Sequence, residues 1–210
     1  MVKLICFDLD GVLVDTVDWH YKSFNQALKT VANYEIPERE HELYYNGRPT
    51  PIKLEILKAR DILQTQDQVD EIATLKSRLF QDMVQEHMQT DLSKIGLMLN
   101  LKDEGYKIAV VSNCNFKNTY LLLEKIGVVN LIDLRISAND VERPKPDPEG
   151  YLSAMAHFEV RPSETLIFED SRVGVTAAVN SGANVIVVND VRSVDWSYVK
   201  NHIHSFQEPA

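Results

Sequence analysis

Short apolar runs alternate with segments of helical spacing along the second half of the chain. Four of the runs predict strands, at 108–111, 131–136, 165–168 and 185–188. Between them apolar residues recur at helical spacing, which predicts helices over 116–126, 147–158 and 171–182. Near the start, an apolar run that ends at Asp8 has the continuous character of a buried parallel strand. This alternation predicts an α/β fold, a Rossmann-like parallel sheet with helices on both faces.

Residues 17–90 have a different pattern, without a convincing strand. Their apolar positions recur at helical spacing, and a turn or loop at Asn46–Pro49 interrupts them. We therefore predict a compact helical insertion over 16–90, placed between the first strand and the rest of the sheet. Residues 1–15 and 91–210 then form the α/β core.

Composition and charge narrow the classes of partner. The chain has 210 residues, enough to bury a core, and a formal net charge of −9. Nucleic acids and anionic membranes bind cationic faces, so the acidic balance disfavours both as main partners. The sequence has no apolar run long enough to span a bilayer, and its two cysteines are too few for a disulfide framework. We expect a reduced, cytoplasmic protein, and its oligomeric state stays open.

Reactive side chains collect where the predicted strands end. Asp8 and Asp10 follow the first strand, Ser112-Asn113 the second and Glu169-Asp170 a later one, while Lys145 lies in a loop that leads into a helix. The carboxyl ends of parallel strands share one edge of the sheet, so we expect these groups to converge. Taken singly, Ser112-Asn113 is typical of a strand-end turn, Glu169-Asp170 of a helix cap and Lys145 of a solvated loop lysine. Their combined order favours a functional site.

The residue types assign chemistry to this edge. Asp8 is the candidate nucleophile, which would form an aspartyl-phosphate, and Asp10 is the candidate general acid/base. Closely spaced acids favour a bound cation, and Glu169 and Asp170 add the hard oxygen ligands that Mg²⁺ takes. The predicted metal ligands are therefore Asp8, Asp10, Glu169 and Asp170. Lys145 is predicted to give positive charge to the transferring group, as a third catalytic residue.

Four segments carry a resemblance to a known family. They are Phe7–Thr16, Val110–Asn113, Lys145–Pro148 and Phe168–Gly174. In this order they are similar to the motifs of the haloacid dehalogenase superfamily of phosphotransferases. The helical insertion resembles the α-helical cap of that superfamily's first cap class, and the Glu-Asp form of the last motif resembles the branch that contains β-phosphoglucomutase and many small phosphatases.

The resemblance implies a ligand set and a reaction. Mg²⁺ would be held by Asp8, the backbone carbonyl of Asp10, and Asp170, with Glu169 in or beside the shell. The cap would open and close over the core to admit substrate and exclude water. Superfamily members that cleave carbon–halogen bonds lack the second aspartate, and those that cleave carbon–phosphorus bonds typically lack it too, so Asp10 favours phosphate esters. We therefore predict a Mg²⁺-dependent phosphatase of a small phosphorylated metabolite, such as a sugar phosphate.

A hexose-phosphate mutase of the β-phosphoglucomutase kind is the alternative. His20 stands in a Thr-x-x-x-His context similar to that of the mutase, but Thr50 occupies the position, three residues after Gly47, where the mutase has an arginine. A mutase anchors a second phosphate through its cap, for which the candidates are Arg48, Lys53, Lys76 and Arg78. The predicted substrate- and phosphate-binding residues are Ser112, Asn113, Thr16, His20, Gly47, Arg48 and Lys76. A third interpretation, a non-enzymatic sensor that retains the fold, is motivated by nothing in the chain.

Overall fold

The computed structural model describes residues 1–207 of the chain. The strands are β1 (Leu4–Phe7), β2 (Lys107–Val111), β3 (Leu134–Ile136), β4 (Thr165–Glu169) and β5 (Asn184–Val187). The helices are α1 (Val17–Ala32), α2 (Glu38–Tyr44), α3 (Thr50–Ala59), α4 (Gln66–His87), α5 (Leu92–Asp103), α6 (Phe116–Lys125), α7 (Glu149–His157), α8 (Arg172–Asn180) and α9 (Trp196–Gln207). Five helices in succession separate β1 from β2, and helices and strands alternate thereafter.

The strands form one parallel sheet in the order β3-β2-β1-β4-β5. The first strand of the chain is thus the central one. Phe7, its last residue, pairs with Val110 on one side and Phe168 on the other. Because the strands are parallel and in register, the residues that follow these three positions emerge together at one edge. This confirms the predicted α/β fold class.

Helices cover both faces of the sheet. On one face Cys6, Ala109 and Ile167 share an apolar cluster with residues of α7 and α8. On the other face the ring of Phe168 contacts Tyr198 and His202 of α9, at centroid distances of 6.2 and 6.0 Å. Alternate residues of each strand therefore serve opposite faces, which explains why the strands are continuously apolar.

The chain divides into two compact units. The sheet unit comprises Met1–Asp15 and the chain from Gln89 onward, and the helical unit comprises Thr16–Met88. The helical unit has a core of its own, in which Phe24, Tyr45 and Ile72 are buried. Among residues 1–207 the structure contains no helix that is long and apolar enough to cross a membrane.

Local hydrogen bonds shape the helical unit. The side chain of Asn25, in α1, donates to the carbonyl of Ile36 and accepts from its N–H, both at 2.9 Å, which ties down the segment between α1 and α2. A capping box between Thr65 and Gln68 begins α4. Gly47, at φ +70°, occupies the turn between α2 and α3, where a left-handed backbone favours glycine.

Some predicted boundaries in the sheet unit are wrong by a few residues. The third strand begins at Leu134 rather than Leu131, because the N–H of Leu131 turns back to the carbonyl of Val128. The helix predicted from Asp147 begins at Glu149. The Asp147 carboxylate still accepts a hydrogen bond from the N–H of Glu149, at 3.0 Å, so the predicted capping side chain lies just outside the helix.

Candidate active site

The ammonium of Lys145 ends among acidic groups at the carboxyl edge of the sheet. Its Nζ donates to Asp8 Oδ1 and Glu169 Oε1, each at 2.6 Å, and to the Val111 carbonyl oxygen at 2.7 Å. These bonds use all three N–H donors of the ammonium. Only 4% of the lysine is exposed, so the loop between β3 and α7 delivers a fixed positive charge to the carboxylate that follows β1.

The Glu169 carboxylate, at the end of β4, is fully buried and held from several directions. Besides Lys145, Oε1 accepts from the hydroxyl of Tyr151 at 2.8 Å. Oε2 accepts from the N–H of Asp170 at 3.1 Å and, at 3.4 Å, from the N–H and hydroxyl of Ser171. Ser171 in turn caps α8 through the N–H of Gly174, so the helix start and the acid share one network.

Burial and mutual repulsion raise the pKa values of two of these acids, Asp8 and Asp170. Burial, and then the charge of Glu169, hold the pKa of Asp8 well above its usual range, although Lys145 opposes the shift. Burial and the charges of Glu169 and Asp10 raise the pKa of Asp170 to about 7. Burial alone would lower the pKa of Lys145, but the charges of Asp8 and Glu169 outweigh it and raise that pKa. One ammonium therefore does not neutralise the cluster.

A divalent cation fits this arrangement. Asp8, Glu169 and Asp170 each offer a carboxylate oxygen, and the three oxygens lie within 4.8 Å of one another. Asp170 Oδ1 is buried and has no hydrogen-bond partner among residues 1–207, which is costly for an acceptor unless something binds it. Hard oxygen donors and surplus negative charge are what Mg²⁺ selects. The residues present thus suit the predicted metal.

Two glycines allow the backbone to approach these acids closely. Gly11 has φ +90°, and a Cβ on it would lie 2.0 Å from Asp170 Oδ2. A Cβ on Gly174 would lie 1.9 Å from Glu169 Oε1 and 2.1 Å from its carboxyl carbon. Both distances are far below van der Waals contact, so each acid occupies space that only glycine leaves open.

The segment after β2 supports both the lysine and Asp10. Asn113 makes two 3.0 Å hydrogen bonds with the main chain of Lys145, one in each direction. Ser112 Oγ accepts from the N–H of Cys114 at 3.0 Å, which leaves the hydroxyl proton to be donated. The thiol of Cys114 lies 3.1 Å from Asp10 Oδ2. The amide of Asn113 is thus occupied by the lysine loop, while its predicted contact with phosphate stays a prediction.

The remaining predicted binding residues belong to the helical unit. Thr16 is buried at the start of α1, and Gly47 and Arg48 lie in the half-buried turn before α3. His20 Nδ1 is 2.9 Å from the Nζ of Lys76, and its ring stacks on Phe80 with centroids 4.0 Å apart. An ammonium can only donate, so Nδ1 accepts and the N–H of this imidazole is on Nε2.

Sequence reasoning missed two residues at the edge of the sheet. In the sequence pattern Tyr151 is one apolar position of a predicted helix. Its hydroxyl contact with Glu169 depends on how α7 packs on the sheet. Cys114 reads as a residue of a strand-end turn, and its contact with Asp10 depends on the pairing of β1 with β2. Helical spacing could have placed Tyr151 on the buried face of α7 but could not have supplied its partner.

A family model and two known proteins are similar to this chain in sequence. A model of the family described as "Haloacid dehalogenase-like hydrolase" matches residues 5–188. The chain is 32% identical to a Clostridium perfringens protein named "Putative pyrophosphatase PpaX", over 87% of this chain and 82% of that protein. It is 26% identical to a β-phosphoglucomutase of Bacillus subtilis, over 86% of this chain and 80% of the relative.

A solved structure is similar over nearly the full length. The crystal structure of a β-phosphoglucomutase from Clostridium difficile superimposes with a TM-score of 0.82 and covers 99% of both chains, at 19% sequence identity. At that identity the likeness establishes the fold alone.

Replacing Gly174 by alanine tests the close packing at Glu169. Because the new Cβ would collide with a carboxylate held on both oxygens, Gly174→Ala should lower the free energy of unfolding by about 1–3 kcal/mol, as measured in urea. Gly96→Ala is the matched control, since Gly96 lies inside α5 with nothing within 4 Å of its Cβ position. The control should gain up to about 1 kcal/mol. Equal effects of the two substitutions would contradict the packing.

Proposed function

Because this chain belongs to the haloacid dehalogenase-like hydrolase family, we propose that it is a Mg²⁺-dependent phosphatase acting through an aspartyl-phosphate on Asp8. The chain is a hydrolase of small phosphorylated substrates, in agreement with its family and its relatives. The observation that carries the proposal is the contact of Lys145 with Asp8 inside an acid cluster that retains an unpartnered, buried Asp170 oxygen. Such a centre suits a nucleophilic carboxylate beside a dianionic phosphate.

Two displacements at phosphorus make up the proposed reaction. A carboxylate oxygen of Asp8 forms a bond to phosphorus as the ester P–O bond breaks, and Asp10 gives its proton to the leaving oxygen. Water then attacks the same phosphorus, Asp10 takes up a proton from it, and the acyl-phosphate bond breaks. Inorganic phosphate leaves, and Asp8 and Asp10 return to their initial states.

The neighbouring groups stabilise charge during both displacements. Lys145 is fixed against Asp8 and offers its positive charge to the equatorial oxygens of the transferring group. Ser112 has a hydroxyl proton to donate to one of these oxygens. Asp8, Asp170, the backbone carbonyl of Asp10 and, in or beside the shell, Glu169 would hold Mg²⁺. When bound, the ion offsets the repulsion between Asp8 and the phosphate and favours the ionised nucleophile.

Replacing Asp8 by asparagine tests the proposal. We expect Mg²⁺-dependent phosphate release from a panel of phosphorylated metabolites, including sugar phosphates, and a fall of at least about a thousandfold in kcat for Asp8→Asn, because the amide is not a nucleophile. Asp103→Asn, an exposed acid at the end of α5, is the control and should keep full activity. Phosphate release is measured colorimetrically with and without Mg²⁺. Substantial turnover by pure Asp8→Asn protein would refute the mechanism.

The basic residues of the helical unit favour the alternative function, a hexose-phosphate mutase. Lys53 in α3 and Lys76 in α4 are only 5% and 6% exposed. The Nζ of Lys53 lies 5.6 Å from the ring centroid of Phe24, and that of Lys76 contacts His20. A buried ammonium group attracts an anion more strongly than an exposed one, because water and salt screen it less. This accumulation of charge favours a substrate with a second anionic group, as a β-phosphoglucomutase-like reaction requires.

Lys53→Met separates substrates with one anionic group from those with two. We expect KM for glucose 1,6-bisphosphate to rise about tenfold, the loss of about 1.4 kcal/mol, with KM for p-nitrophenyl phosphate unchanged. Lys58→Met, an exposed lysine of the same helix, should change neither constant. Equal shifts for both substrates would argue against a second anion site. In parallel, β-glucose 1-phosphate is incubated with the bisphosphate: glucose 6-phosphate without phosphate release would identify a mutase, and phosphate release a phosphatase.

A further inference from the structure

Tyr151 touches both members of the central ion pair. It lies in α7, is fully buried, and donates its hydroxyl proton to Glu169 Oε1 at 2.8 Å. The centroid of its ring is 4.8 Å from the Nζ of Lys145, within the range of a cation–π contact. A residue that only filled the core would need neither contact.

The hydroxyl completes the set of donors around Glu169. A carboxylate has about four lone-pair sites, two on each oxygen. On Oε1 they are taken by Lys145 and Tyr151, while Oε2 accepts from the N–H of Asp170 and shares its second site between the more distant N–H and hydroxyl of Ser171. Without the hydroxyl, Lys145 would be the one remaining donor to Oε1 among residues 1–207, and the Oε1 side of the carboxylate would be less restrained than the Oε2 side.

The orientation of Glu169 in turn decides where the lysine points. Nζ has three hydrogen bonds, to Glu169, to the Val111 carbonyl and to Asp8. The first two fix the direction of the third. A rotation of the Glu169 carboxylate would therefore move the ammonium relative to Asp8, the proposed nucleophile.

We propose that Tyr151 is a positioning residue for the phosphoryl-transfer reaction. Its hydroxyl locks the Glu169 carboxylate, and through it the Lys145 ammonium, in the position that faces Asp8. The inference rests on the proposed function for its catalytic consequence, but the locking itself is a property of the folded chain without substrate. Tyr151 is buried and contacts no reacting atom.

Tyr151→Phe removes the hydroxyl and keeps the ring, so the packing of α7 is preserved. We expect kcat for p-nitrophenyl phosphate at saturating Mg²⁺ to fall about tenfold to a hundredfold, with KM changed less than about twofold. Tyr198→Phe is the matched control, because the Tyr198 ring packs on Phe168 of the same strand β4 but contacts none of the acids. The control should keep wild-type kcat and KM.

A second measurement reads the lysine without catalysis. In protein labelled with ¹⁵N-lysine, the ammonium resonance of Lys145 is identified by its loss in Lys145→Met, and its proton exchange with water is measured in the absence of substrate. We expect exchange to be at least about ten times faster in Tyr151→Phe than in wild type or Tyr198→Phe. Loss of the Tyr151 hydroxyl loosens the hydrogen bonds that protect the ammonium protons of Lys145.

The kinetic constants and the proton exchange of Lys145 together distinguish failure of the proposed function from failure of the inference about Tyr151. If wild type hydrolyses none of the phosphorylated compounds, the proposed function fails, while faster exchange in Tyr151→Phe still supports the lock. If wild type is active and Tyr151→Phe retains both its kcat and its exchange rate, Tyr151 only fills space and the proposal is overturned. A fall in kcat with unchanged exchange also overturns it, because the effect would not pass through Lys145.

Discussion

A single buried ammonium surrounded by carboxylates is the interaction on which the rest of this structure depends. Lys145 reaches Asp8 and Glu169 at 2.6 Å, in a place where burial makes every uncompensated charge expensive. Burial, together with a negative charge of the acids that exceeds the one positive charge of Lys145, raises the pKa values of Asp8 and Asp170. The fold thus keeps an excess of negative charge at the edge of its sheet, and the proposed Mg²⁺ site rests on that excess.

The architecture brings these groups together with few residues. Since β1 is central and pairs with β2 and β4, the carboxyl ends of three strands deliver Asp8, Ser112 and Glu169 side by side. The lysine arrives from the loop before α7, where Asn113 ties its main chain to the end of β2. Gly174 lets the first turn of α8 approach Glu169. The order of the strands, the anchoring of the lysine loop and the lack of a side chain at Gly174 thus all shape the same small region.

Sequence patterns predicted the helices and strands better than they predicted the contacts between distant segments. Continuous apolar runs predicted the strands, because a parallel sheet covered on both faces requires them, and the polar residues after those runs indicated the edge where they meet. The third strand was predicted too long because Leu131 and Ile132 are apolar but precede it, Leu131 half-buried in a turn and Ile132 buried just after that turn. Pairings such as Tyr151 with Glu169 and Asn113 with the Lys145 main chain arise from packing between distant segments, which periodicity does not encode.

The central claim is that surplus negative charge at this edge is offset by Mg²⁺, and the Mg²⁺ dependence of unfolding tests it most directly. Urea unfolding at pH 8, with and without Mg²⁺, is compared for wild type and Asp170→Asn. At this pH, above the pKa of about 7, the ionised Asp170 lowers the stability of the metal-free protein. The account predicts that Asp170→Asn is more stable than wild type without Mg²⁺. It also predicts that Mg²⁺ at a hundred times its Kd stabilises wild type by about 2.7 kcal/mol and the variant far less. A wild type that Mg²⁺ does not stabilise, or a metal-free variant less stable than wild type, would contradict it.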